Sequence, residues 1–167
     1  MMWEVVTEAL GRLYPREQPW HVSYVAGEHV LEAGSVYPAD GHWHYVTYGL
    51  GRRWGVELTF RLVRGAETDP PQWPFVTLEH MAGYANSLAE PLEEGQWVDL
   101  VGPITGFPFS GGPDTGLTVL ILTADPELGD RFLQLVGVTE AEANGESEIA
   151  DDRLMVTDPG RARPVQE

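Results

Sequence analysis

Apolar residues at Trp3, Val6, Leu10 and Leu13 recur at steps of three and four, which predicts a short amphipathic helix ending before Pro15. A loop-rich stretch follows, and from His42 the run HWHYVTY predicts a strand broken by Gly49 and Gly51. Trp54, Val56, Leu58, Phe60 and Leu62 then alternate with Glu57, Thr59 and Arg61, the period-two signature of a strand with one buried and one wetter face. On such a strand Glu57 and Arg61 stand ~13 Å apart and cannot pair with each other. Each needs a partner on a neighbouring strand, and a cross-strand ion pair is expected.

Pro70, Pro71 and Pro74 punctuate the entry to a second helix, on which Leu78, Met81, Ala82, Ala85 and Leu88 form one apolar stripe, with an end expected near Pro91. Three more strands are expected over 97–101, 117–122 and 132–138, the middle one apolar throughout and therefore central and buried on both faces. Asp125-Pro126-Glu127 reads as a turn between the last two. Thr139 and Glu142 have capping-box spacing and start a short helix that Asn144 and Gly145 stop. A last strand is expected over 154–157. The pattern predicts an α/β protein of α+β type, with a mixed, largely antiparallel central sheet flanked by two or three helices. It forms a single domain over residues 1–158, with a flexible C-terminal tail over 159–167.

Composition narrows what such a domain can do. The chain of 167 residues carries 10 basic and 26 acidic side chains, a formal charge of −16, and every basic residue is Arg. Phosphate backbones demand clustered Lys and Arg, so nucleic acid is not an expected ligand. Without Cys there is no disulfide, thiolate nucleophile or Cys-ligated zinc. The N-terminal residues lack the basic region of a signal peptide, and no apolar run approaches the roughly 20 residues of a membrane span. A cytoplasmic protein without membrane attachment is expected.

The charge is unevenly placed. Residues 65–130 contain eleven acids and no base, and residues 140–152 add six acids without a base. A surface of that sign either serves solubility or steers a basic partner, raising its association rate by ~10–10³.

Candidate chemistry is sparse. His42 and His44 share a strand face that Glu57 could approach, three potential ligands for a metal-dependent hydrolase, although the spacing has low specificity. None of the five serines occupies a G-x-S-x-G elbow. Residues 102–116, with five Gly and three Pro, form a loop of unusual length that carries Phe107 and Phe109. These two rings either tuck onto the core or anchor a partner. No cofactor and no catalytic constellation is indicated.

The blocks HWHYVTYGL (42–50), WGVELTFRL (54–62), PPQWP (70–74), GPI (102–104), LTADPELG (122–129), FLQLVGVTEAE (132–142) and VTD (156–158) occur in that order. Together they resemble the Suppressor of fused family across nearly the whole chain. The resemblance implies a mixed α/β domain that is not an enzyme and acts by binding another protein. In the animal family member a transcription-factor peptide adds as a β-strand between two lobes. Bacterial single-lobed members are implied to be immunity proteins that neutralise toxins, and this chain resembles the first lobe alone.

Two departures stand out. Only Gly51, Arg52 and Arg53 separate the first two blocks, which predicts a tight hairpin, and the segment after FLQLVGV is reduced to Ala143-Asn144-Gly145. The expected function is sequestration of a protein partner, a basic toxin being the implied case. Trp43, Tyr45 and Tyr48 on the first hairpin strand, with Phe107 and Phe109, are the expected partner-binding residues.

Overall fold

The computed structural model describes residues 3–25, 27, 29–149 and 152–164. Helix α1 (Trp3–Leu13) is followed by strands β1 (Trp20–Ser23), β2 (Ala33–Pro38) and β3 (His42–Tyr48). A single helical turn α2 (Gly51–Trp54) leads into β4 (Glu57–Val63), and the long helix α3 (Trp73–Ser87) follows. Strands β5 (Trp97–Asp99), β6 (Val119–Asp125) and β7 (Gly129–Val138), the short helix α4 (Glu140–Ala143) and a 3-10 turn (Pro159–Arg161) complete the described elements. The strands form one open sheet in the order β1-β2-β3-β4-β7-β6-β5. Every neighbouring pair is antiparallel except β4 and β7, which run parallel. The expected mixed, largely antiparallel α+β architecture is what the chain adopts.

Strand alternation sends two sets of side chains to opposite faces. On one, Trp43, Tyr45, Leu58, Phe60, Leu120, Leu122, Leu133 and Leu135 meet Trp73, Phe75, Leu78 and Met81 of α3, the main core. On the other, Val46, Tyr48, Ala33, Tyr37 and Phe132 meet Val6 and Leu10 of α1. Of the apolar stripes read from spacing, Val6 and Leu10 of α1 and Leu78, Met81, Ala82 and Ala85 of α3 are buried, while Trp3 stays exposed. The capping box at Thr139 is present, its side chain accepting from the Glu142 amide while Glu142 accepts from the Thr139 amide.

Four local expectations are corrected. The β3–β4 connection is not a tight hairpin, because α2 fills it and the Glu57 carboxylate gathers the amides of Gly49, Leu50 and Gly51. Strand β6 is not central: β7 lies between it and β4, and its Ile121 and Thr123 are partly exposed. The strand expected over 154–157 is a single parallel bridge, Leu62 to Thr157. The chain after Pro159 was expected as a tail. Its described part packs, with Pro159 buried and Arg161 paired to Glu142 at 2.6 Å. Residues 165–167 lie outside the described residues.

Candidate functional site

The face of β4 expected to be wetter is dry. Glu57, Thr59 and Arg61 are 1%, 0% and 0% exposed, because α1 and the β6–β7 turn cover that side. A buried guanidinium must be neutralised and have its donors satisfied, and here each branch of Arg61 is answered. Its Nη2 donates to Asp125 Oδ1 at 2.8 Å, its Nη1 to Glu127 Oε1 at 2.8 Å and to His42 Nε2 at 3.0 Å, and its Nε to Gln134 Oε1 at 3.0 Å. Asp125 also receives Thr59 Oγ1 at 2.8 Å and the amides of Glu127 and Leu128, so the residue read as a turn former is the hub of the network.

Both histidines belong to this network as neutral rings. His42 Nδ1 donates to the Asp40 carbonyl at 3.1 Å, leaving Nε2 to accept from Arg61. His44 Nε2 donates to Asp125 Oδ2 at 2.9 Å, and its Nδ1 accepts from the Tyr14 hydroxyl at 2.8 Å. Burial, seconded by the Arg61 charge, pushes His42 down to about 4, and burial likewise lowers His44. For Asp125 burial by itself raises the carboxyl, but the His44 hydrogen bond and the Arg61 guanidinium outweigh it and hold the group well below the usual carboxylate range.

Glu57 does not join them. It sits at the far end of the β3–β4 pair, where its Oε1 accepts from Thr47 Oγ1 at 2.7 Å and its Oε2 from the Gly51 amide at 2.8 Å. Burial pushes its carboxyl up against the pull of these donors. The triad His42, His44 and Glu57 is therefore not assembled. All four ring nitrogens of the two histidines are already committed to protein partners, and no cluster of three or more potential metal ligands occurs among the described residues. The cross-strand ion pair expected for Arg61 exists, but its partners lie two strands away at the β6–β7 turn.

Of the expected partner-binding residues, Trp43, Tyr45 and Tyr48 are 0%, 0% and 3% exposed. Their role in the fold is internal. The Trp43 indole donates to Glu67 at 2.8 Å, and the Tyr45 hydroxyl donates to the Pro71 carbonyl at 2.6 Å. Tyr48 packs against Trp3 at a ring separation of 5.0 Å. Phe107 and Phe109 differ: they stand 42% and 95% exposed on the long loop.

The surface that sequence reading missed is the end of the sheet. Among the described residues, strand β5 pairs only with β6, through Val98 opposite Leu120. Bonds from the Leu100 amide to the Thr118 carbonyl and from the Leu122 amide to the Gln96 carbonyl fix the alternation. By that alternation the amides and carbonyls of Trp97 and Asp99 point away from the sheet. Trp97 is 53% exposed and Tyr84, on the adjacent turn of α3, 44%. Both border a cleft of about 670 Å³ beside this edge. Tyr84 falls outside the apolar stripe 78-81-82-85, which is the signal that could have found it.

An open, mixed sheet with α3 on one face and α1 on the other defines a class of α+β domains. The particular family is Suppressor of fused: the profile of the Suppressor of fused protein (SUFU) family matches residues 23–149, and the chain belongs to it. Comparison with curated proteins finds none that matches. Among solved structures, a chain of the Sufu-Fu complex crystal structure is similar at a TM-score of 0.81 and 23% identity, over 96% of this chain and 91% of that one. Drosophila Suppressor of Fused is similar at a TM-score of 0.79 and 23% identity, over 95% of this chain but 50% of that one. A putative SUFU homologue from Neisseria gonorrhoeae is similar at a TM-score of 0.69 and 16% identity, over 98% of this chain and 97% of that one.

Proposed function

We propose that this chain is a noncatalytic domain that sequesters a basic protein partner, and that the partner is a toxin to which it confers immunity. The observation that carries the binding function is the open β5 edge, whose outward backbone groups at Trp97 border a cleft that the exposed Trp97 and Tyr84 line. An extended partner segment completes such an edge by main-chain hydrogen bonds, with aromatic side chains supplying apolar contact. Family membership and the likeness to a chain of the Sufu-Fu complex support binding of a protein.

Charge separates the two sheet edges. The cleft at the β5 edge carries Glu90 and Glu93 and no Arg, whereas the cleft near β1 carries Arg16 and Arg64 beside Glu17 and Asp40. A basic partner is attracted to the first and not to the second.

The test is co-expression with the product of the neighbouring gene. The expected result is relief of growth inhibition and co-purification in a defined ratio. Asp99→Pro, which deletes one outward amide donor at an edge position that tolerates proline, should weaken the complex at least tenfold while Asp99→Asn retains it. Equal binding by both variants would remove β5 from the interface, and a neighbouring gene product that neither inhibits growth nor binds would remove the immunity role.

A further inference from the structure

The long loop of residues 102–116 builds a second feature, which meets the β5 edge at Asp99. With the start of α4 and residues 162–163 it encloses a groove of about 930 Å³, lined by Asp99, Asp114, Glu140 and Glu146 and by one cation, Arg163. All four carboxylates are exposed, and none pairs with a cation among the described residues. Gly102, Pro103 and Phe107 line this groove and also a smaller pocket behind it, so they form the ridge between the two. The smaller pocket has a volume of about 260 Å³, with Val76, Leu100 and Ile104 in its walls. That volume lies below the roughly 300 Å³ at which small-molecule sites begin and suits one inserted side chain.

An acidic trough beside an apolar pocket, separated by a half-exposed phenylalanine, has the anatomy of an interface. A buried apolar anchor supplies most of the affinity, and the charged surroundings supply orientation and encounter rate. We propose that this face docks an extended basic segment of the partner protein, with one apolar side chain seated behind Phe107 and its Lys or Arg neighbours lying along the carboxylates. The inference rests on the protein-binding reading above and names the partner's chemistry at a contact that adjoins the β5 edge at Asp99 and runs away from it along the loop and α4. Charge complementarity selects the occupant: the groove carries four negative groups against one positive, and a neutral or acidic segment gains nothing from it.

The probe is a labelled ten-residue peptide with one Phe among Arg and Lys, compared with the same peptide carrying Ala for Phe. Affinity is read by fluorescence anisotropy and location by amide chemical shifts of the 15N-labelled protein. The expected result is shifts at residues 101–107 and 139–146, about tenfold weaker binding of the Ala peptide, and about tenfold weaker binding to the Asp114→Asn, Glu140→Gln, Glu146→Gln triple variant. Val76→Asn, on the exposed side of α3 and in the pocket wall, should abolish the Phe-over-Ala preference while leaving the charge dependence. Equal binding of the two peptides, or an unaffected triple variant, would show unspecific attraction and overturn the proposal. Shifts confined to the β5-edge cleft, residues 88–98, would also overturn it, yet leave capture at the β5 edge standing; failure of that capture is read separately in the co-expression experiment.

Discussion

Arg61 is wholly buried, and its charge is balanced by Asp125, also inaccessible. Breaking a buried pair by removing one partner leaves an uncompensated charge and costs about 3–5 kcal/mol, whereas replacing both by apolar groups of similar size is often neutral. Asp125→Ala is therefore expected to lower unfolding free energy by about 3–5 kcal/mol. Arg61→Met combined with Asp125→Leu should cost much less than the sum of the single changes. Urea titration of the wild type, Asp125→Ala, Arg61→Met, Asp125→Leu and the double variant checks this, and additive losses would show that the pair does not act as a unit.

The same network predicts a pH dependence. His42 is held at about 4 against an ordinary value of 6.5, so between those values the unfolded chain takes up a proton that the folded chain refuses. Stability from this site is complete above pH 6.5 and falls as pH drops toward 4, by about 3 kcal/mol at most. The depressed Asp125 carboxyl acts in the same direction below its ordinary value of 3.8. Relief of charge repulsion on acidification opposes both, so the difference from His42→Gln isolates the histidine. That difference should shrink steadily from pH 7 to 4.5 in urea midpoints; a constant difference would refute the assignment.

At the scale of elements, periodicity located α1 and α3 well because the stripe of each is the face it buries, and the cap at Thr139 was legible because it depends on residues three apart. The strand ends and order were not. Whether β6 is central depends on β7 entering beside β4, a pairing between residues more than seventy positions apart, for instance Leu58 with Leu133. Backbone approach is similarly invisible in sequence. Gly116 lies so close to the Arg163 carbonyl that a Cβ there would stand at 2.2 Å from its oxygen, and its amide donates to the Ala162 carbonyl at 3.1 Å. Gly116→Ala should displace residues 162–163 from the loop and cost about 1–3 kcal/mol, as overpacking does. The check is thermal unfolding together with amide exchange at Gly116; unchanged protection there would show that the contact yields freely.

For the whole molecule, the charge of −16 is less available to partners than its sum implies. Asp125 is spent on Arg61, Glu142 pairs with Arg161, and Glu79 bonds His29 at 3.0 Å. Among the described residues, none of the exposed acids around β5 and the 102–116 loop forms an ion pair. Association with a basic partner should therefore slow steeply as ionic strength rises from 50 to 500 mM, with dissociation changing less, because screening acts on long-range steering. Stopped-flow association rates measure this, and a salt-independent rate would mean the acidity serves solubility alone.

The sequence alone determined the class of the domain, its two main helices, most of its strands and the sign of its surface, because these follow from local periodicity and from counting. It also carried the family, through blocks spread along the chain. Tertiary structure alone decided which face of β4 is dry, since alternation gives parity but cannot say what covers each side. It turned Asp125 from a turn residue into a buried anchor and left Glu57 four positions along β4 from the register partner of His44 and six from that of His42. It moved Trp43, Tyr45 and Tyr48 into the core and brought Tyr84 and Trp97 to the open edge, because exposure depends on which element packs above a residue and which strand comes last in the sheet.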